Sequence, residues 1–399
     1  MAATNPSSLV RDPRRPQRAT HVELFYDLVF LYVLARLAES LAKDLTWLGA
    51  YRTLLLLVAV WWVWAYTNLV TDTLNSELPS VQLLVIGIMF GTLIMSTAVA
   101  DAIDGRALLF AGVYVAIHVG RSAALAVMLR NHPRLRRRPW RGVFWFSISG
   151  VFWIGGALLP GAALQLTFWT VALLLDYYLG PTLRWPTPWI GRSQDWEWNL
   201  ASAHLAERYR QFIIIGFGET IVISGRAYRA TGYRDSATAG LVLAFAATVL
   251  LWWIYFYRTR EKLGTAITTS ADPARETKWA GHAHLVMVAG IVLTTAGDEL
   301  LIQHAFEANH VPFVVAMVGG PTLFLAGRVL LGHEVFVHVA RPWLIGIAVL
   351  VLMSPAMLLL PPIGVAFACV VVLLGVVLAD AASGREAPGI AARDPSGRQ

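Results

Sequence analysis

The sequence predicts an all-α integral membrane protein, with about twelve transmembrane helices in two pseudo-symmetric six-helix halves related as a parallel repeat. Three observations predict it. Of 399 residues, 57% are hydrophobic and only 14% charged, against about 25% charged in a soluble domain. Long apolar runs, such as Val81 to Val99 and Ile363 to Leu378, are near the ~20 residues a helix needs to cross a bilayer. The second half of the chain repeats the polar landmarks of the first in the same order. Backbone groups in hydrocarbon must be satisfied within their own segment, which makes the runs helices. A barrel would show short alternating segments instead.

The spans are expected at 22–41, 48–69, 81–103, 106–129, 140–159, 163–180, 203–224, 236–257, 279–302, 312–332, 342–360 and 363–381. The first, seventh and ninth carry the most polar residues. Residues 1–20 and 383–399 read as cytoplasmic tails, 21–181 as the first bundle, 182–202 as a cytoplasmic linker and 203–382 as the second bundle. The polar start, with Arg11, Arg14, Arg15 and Arg18, does not resemble a cleavable signal. The six arginines between Arg130 and Arg141 place the end of span four, and both tails, in the cytoplasm. Arg258, Arg260, Lys262, Arg385 and Arg393 agree with that orientation; Arg226, Arg229 and Arg234 run against it. The net charge of +7 therefore reflects orientation in the membrane, and no nucleic-acid partner is expected. Cys369, the sole cysteine, has no partner for an intrachain disulfide.

The landmarks of the repeat pair span by span. Glu23, Phe25 and Asp27 match Glu207, Tyr209 and Gln211. Trp61, Trp62 and Tyr66 match Trp252, Trp253 and Tyr257. Asp101 matches Asp298, and Gly120-Arg121 matches Gly327-Arg328. Arg138-Pro139-Trp140 matches Arg341-Pro342-Trp343, and Asp176 matches Asp380. With an even number of spans per half, both halves enter from the same side, which is a parallel repeat.

The run Thr20-His21-Val22-Glu23-Leu24-Phe25-Tyr26-Asp27-Leu28-Val29-Phe30 resembles the opening signature of the bacterial low-temperature-requirement A (LtrA) family. His204-Leu205-Ala206-Glu207-Arg208-Tyr209, continuing through Phe212 and Ile213 to Gly218-Glu219, is a second such stretch. His284 with Gly290-Ile291-Val292 and Ala296-Gly297 is a third. The resemblance spans nearly the whole chain. It implies a multi-pass protein of the bacterial inner membrane whose family name records a growth phenotype rather than a reaction. Arg210 and Gln211 are more polar than the resemblance leads one to expect.

Charged side chains inside a membrane need a partner, a cavity or a task. His21, Glu23 and Asp27 on span one form one cluster, with the two carboxylates four residues apart on one helix face. Arg36 and Glu39 lie further along. His204, Glu207, Arg208 and Gln211 form a stripe on span seven. Glu219 lies ~18 Å beyond Glu207, flanked by Gly216 and Gly218, which are expected to admit close helix contact. Equivalent positions in the two halves would bring Glu23 and Glu207 to one cavity, with Arg208 neutralising Asp27 or Glu23 across it. That site would bind a proton, a metal ion or a cationic ligand; no resident metal or cofactor is indicated. His118, Arg121, His282 and His284 would complete a polar cavity or make structural hydrogen bonds. Asp101 and Asp104 form a D-x-x-D best read as solvated loop acids. The 16 tryptophans read mostly as an interfacial belt.

No nucleotide-binding loop, zinc-protease helix, C-x-x-C or nucleophile elbow is present. A secondary transporter or permease is the leading reading, with Gly319-Gly320-Pro321 and Ser354-Pro355 as candidate helix breaks. The alternatives are an intramembrane enzyme acting on a lipid or isoprenoid and a non-catalytic structural protein. Its expected partners are the lipid bilayer and an unidentified small-molecule, ion or lipid ligand; a homodimer is open.

Overall fold

A computed structural model describes residues 9–11, 19–103, 105–194, 202–259, 263, 266, 270, 272–336 and 339–385. Asp104, Arg14, Arg15, Arg18, Arg260, Lys262 and Arg393, and with them most of the two expected tails, lie outside the described residues. The described residues are helical and form no strand. In order they give α1 (His21–Lys43), α2 (Trp47–Thr73), α3 (Pro79–Ala98), α4 (Ala107–Met128), α5 (Arg137–Leu158) and α6 (Ala162–Leu174). They continue with α7 (Ser202–Ala230), α8 (Asp235–Thr259), α9 (Pro273–His304), α10 (Val311–Glu334), α11 (Arg341–Met357) and α12 (Pro362–Arg385).

Among the described residues, nine helical stretches are long and apolar enough to cross a membrane: α2 to α5, α6 with the helical turns that continue it to Thr182, α8 to α10 and α12. Helix α11 is apolar but shorter. Helices α1 and α7 carry too much charge for that criterion, and they pack against each other. Helix α1 packs on α2 and α3, α3 on α4, α4 on α5 and α5 on α6. Likewise α7 packs on α8 and α9, α9 on α10, α10 on α11 and α11 on α12. The two sets join mainly where α1 meets α7 and α9.

Local chemistry sets several ends. Helix α1 starts at a capping box, in which the backbone N–H of Thr20 donates to Glu23 Oε2 at 2.7 Å and removes one unsatisfied donor of the first turn. Thr46 accepts from the Gly49 N–H at the start of α2, and Asp272 from the Arg275 N–H at the start of α9. Past α6 the chain makes a π-helical turn, Leu175–Leu179, that carries Asp176. Within the expected linker, Trp185 is buried edge-on to Trp145, and the Arg141 guanidinium donates to the carbonyls of Ile190, Gly191 and Arg192. Arg141 therefore holds a loop in place, beyond any role in orientation.

The helix breaks expected at two prolines do not occur. Helix α10 runs through Pro321, and α11 runs through Pro355. The glycines before Pro321 serve packing. A Cβ on Gly320 would lie 2.6 Å from the Thr294 backbone nitrogen, and one on Gly290 would lie 2.6 Å from that of Phe324. Helices α9 and α10 thus meet backbone to backbone, as small residues permit in membranes. Gly216 does sit against Ile291 and Leu34, but Gly218 faces open space and mediates no contact. Seven of the 16 tryptophans are inside instead of in a belt: Trp61, Trp64, Trp145, Trp153, Trp169, Trp185 and Trp343 are buried.

Gly290→Ala should therefore lower the thermal unfolding temperature of the purified protein, with a cost of ~1–3 kcal/mol for overpacking. Gly218→Ala should leave it unchanged or raise it, by at most ~1 kcal/mol of helix propensity. A melting series in detergent checks both.

Candidate functional site

The first turns of α1 and α7 and the last turn of α2 enclose a buried charge cluster. The Arg208 guanidinium grips Asp27 with two hydrogen bonds, each 2.7 Å long. Its remaining donors reach the Asn68 side-chain oxygen at 3.0 and 3.2 Å. The Trp64 indole N–H donates to Asp27 Oδ1 at 2.9 Å. One turn nearer the helix ends, His204 Nε2 lies 3.1 Å from Glu23 Oε2 and Nδ1 lies 3.3 Å from Asp72 Oδ1. Both ring nitrogens face carboxylates, a geometry that the imidazolium satisfies with two donors.

The segment 9–11 crosses the end of α2. Asn75 N–H donates to the Leu9 carbonyl and Arg11 N–H to that of Thr73. The Arg11 guanidinium donates to the Thr71 carbonyl at 2.9 Å and stands 3.9 Å from Glu23 Oε1. Among the described residues, three carboxylates, Glu23, Asp27 and Asp72, thus meet Arg11, His204 and Arg208, three acids facing three cations when His204 is protonated. Glu23, Asp27, His204 and Arg208 have no solvent exposure.

Of the residues singled out from the sequence, the structure brings Glu23, Asp27, His204 and Arg208 together. It does not bring in Glu207 or His21. Glu207 is half-buried and its carboxylate accepts from Gln211 at 3.4 Å, while His21 is exposed. The stripe on α7 is split: His204 and Arg208 turn to α1 and α2, whereas Glu207 and Gln211 turn away. Glu23 and Glu207 are therefore not equivalent partners at one cavity, because a carboxylate fits the inner position only where a cation faces it.

His284 lies apart, on α9. Its Nδ1 donates to the Ala280 carbonyl at 2.6 Å, which leaves Nε2 to accept from the Tyr255 hydroxyl at 2.8 Å. Its ring stacks on Tyr209 with centroids 4.4 Å apart, and Tyr209 in turn meets Trp61 and Trp64. An aromatic layer thus separates His284 from the charge cluster. His118 accepts from Arg121 at 2.8 Å through Nδ1 and is buried, while His282 binds the carbonyl of Lys278; these are hydrogen-bonded packing histidines. Asp101 is exposed and stands 3.8 Å from Arg106.

Glu219 is at the other end of the α1–α7 pair. It is buried, and among the described residues neither carboxylate oxygen has a hydrogen-bond partner. Arg226, one of the arginines that ran against the expected orientation, is ion-paired there with Glu39.

Trp64, Asn68, Asp72 and Arg11 were not anticipated in the sequence. A signal existed for the first three: they recur every four residues, one stripe along α2. Asp72 fell beyond the expected end of its span.

An all-helical chain with many apolar spans and a buried ionic seam is a polytopic membrane protein. Residues 18–378 match the family model described as bacterial low temperature requirement A protein (LtrA), and the chain belongs to that family. An uncharacterized protein of Rhizobium meliloti (strain 1021) is 35% identical over 329 residues, covering 82% of this chain and 80% of that one. No solved structure matches.

Removing Arg208 leaves Asp27 buried with an indole as its remaining partner. Arg208→Gln should destabilise by ~3–5 kcal/mol, and the double variant Asp27→Asn/Arg208→Gln by clearly less, because no charge is then stranded. Thermal melts of the two variants in lipid nanodiscs measure the difference.

Proposed function

We propose that this chain is a secondary transporter or permease of the bacterial cytoplasmic membrane, built from two six-helix halves, with the charge cluster as the lock that closes one end of the seam between them. The single observation carrying this reading is that Glu23 and Asp27 on α1 and Asn68 and Asp72 on α2 hold His204 and Arg208 on α7 across that seam. Discrete ion pairs that join two packed bodies are the kind of contact that rigid-body rocking makes and breaks.

The two-half reading is supported by packing as well as by sequence order. The neighbour order of α1 to α6 recurs in α7 to α12. In the first set the Arg121 guanidinium lies 5.2 Å from the Tyr66 ring centroid and 6.0 Å from that of Phe146. In the second, Arg328 lies 5.6 Å from Tyr255 and 4.6 Å from Trp343. Each arginine is on the fourth helix of its set, between aromatics of the second and fifth. Asp176 and Asp380, late in each set, are both buried.

The charge arithmetic suits a lock. Each ~1.4 kcal/mol removed from the closed state raises the open population about tenfold. Complete burial also suits a purely structural seam, and one experiment separates the two. In a Cys369→Ser background, Leu34→Cys places a thiol on the α1–α7 seam, about two turns beyond Asp27. A membrane-impermeant maleimide added to the tail side of oriented vesicles should label it slowly. With the lock neutralised as Asp27→Asn/Arg208→Gln, labelling should speed at least tenfold. Labelling that stays at background in the folded double variant would sink the lock and leave a structural ion-pair network.

A further inference from the structure

We propose that the end of the α1–α7 seam opposite the lock is a proton-binding site, with the Glu219 carboxylate as the acceptor; this deepens the permease reading by naming the coupled ion. Glu219 lies ~22 Å along α7 from His204 at ~1.5 Å per residue. Glu39 of α1 acts electrostatically there on an acid of each of two other helices, Glu219 of α7 and Glu299 of α9. The charges acting on Glu219 are those of Glu39 and Arg226; those acting on Glu299 are Glu39, Arg226 and Lys43. Glu39 is taken up by Arg36, 2.6 Å away, and by Arg226. Glu299 is half-buried and meets Gln303 at 3.5 Å. Of these three acids, Glu219 is the one left with neither oxygen bonded among the described residues, although it is 1% exposed.

An ionised carboxylate in that position lacks the donors that offset its desolvation, so it is stable there only with a cation on it. The neighbouring groups select which cation. Among the described residues no group of three His, Cys, Asp or Glu side chains is placed to hold a metal ion, and the two arginines already occupy Glu39. A proton needs one carboxylate oxygen and no coordination sphere. It bonds to that oxygen and takes the side chain from −1 to neutral. Arg226, whose charge acts on Glu219, lies about two turns further along α7 and is mostly exposed, with a side-chain exposure of 60%. This gives the proton a short route from solvent to a buried acceptor.

Infrared difference spectroscopy of the full chain in lipid, titrated with pH as the only variable, reads the site directly. The wild type should show a carboxylic-acid carbonyl band that disappears as pH rises and moves in heavy water. Glu219→Gln should lack that band, and Glu219→Asp should restore one at a shifted frequency. An identical titrating band in Glu219→Gln would overturn the proposal, as would the absence of any titrating acid band in the wild type. Should Glu219→Gln fail to fold, the Glu219→Asp frequency shift decides alone: a band that does not move belongs to another acid. The spectra do not depend on transport. A band assigned to Glu219 beside a failed labelling experiment would keep the proton site and discard the lock.

Discussion

Buried charge in a low-dielectric medium is stable only against an opposite charge with good geometry, and that constraint shapes the centre of this molecule. Taking a carboxylate or guanidinium out of water costs several kcal/mol per ion even after relaxation. Arg208 and Asp27 offset this with a bidentate contact, and Asn68 and Trp64 take up further donor and acceptor capacity. The pairing also fixes the register of α1 against α7. Rotating either helix by one residue turns its charges by ~100°, which would carry them out of the seam. Helices α1 and α7 are too charged to qualify as apolar spans. They are accommodated because their charged faces meet each other and α2, and because α9 packs against both.

The same constraint explains what could and could not be read from the sequence. Helix α1, the two charged stripes and the neutralisation of an α1 acid, Asp27 or Glu23, by Arg208 were legible, because charges in apolar spans are few and periodicity puts them on faces. The choice between Glu207 and His204 as the partner of Glu23 was not. Both lie on the same broad stripe, and only the angle between α1 and α7 decides which of them points inward. Asn68 and Asp72 were hidden because Asp72 followed the apolar run and Asn68 is uncharged. Proline and glycine in α10 suggested a break. A helix end was not required there, because Gly320 fits against the Thr294 backbone and α10 gains contact instead of losing continuity. The tryptophans misled for a related reason: an amphipathic ring near a span end fits a belt, but Trp153 and Trp64 are in the interior, where Trp64 has Asp27 to bond.

The two ends of the α1–α7 seam are built differently, and the difference bears on function. At the lock every charged side chain has a counter-charge, and backbone groups at 20, 71 and 73 close the rim. At the far end Glu219 is buried, and among the described residues neither of its oxygens has a donor. Stability alone does not call for a carboxylate at that position, since replacing buried charge by packed hydrocarbon is often neutral or stabilising. Local rules of this kind are broken chiefly where a site does something. One end with its buried charges matched and the other with a buried carboxylate that lacks a donor among the described residues is a polarised arrangement. On the proposed reading, an ion that neutralises Glu219 would act on α7, the helix that the charge cluster ties to α1, and a protein that exchanges access between two sides of a membrane requires such a connection between its two ends.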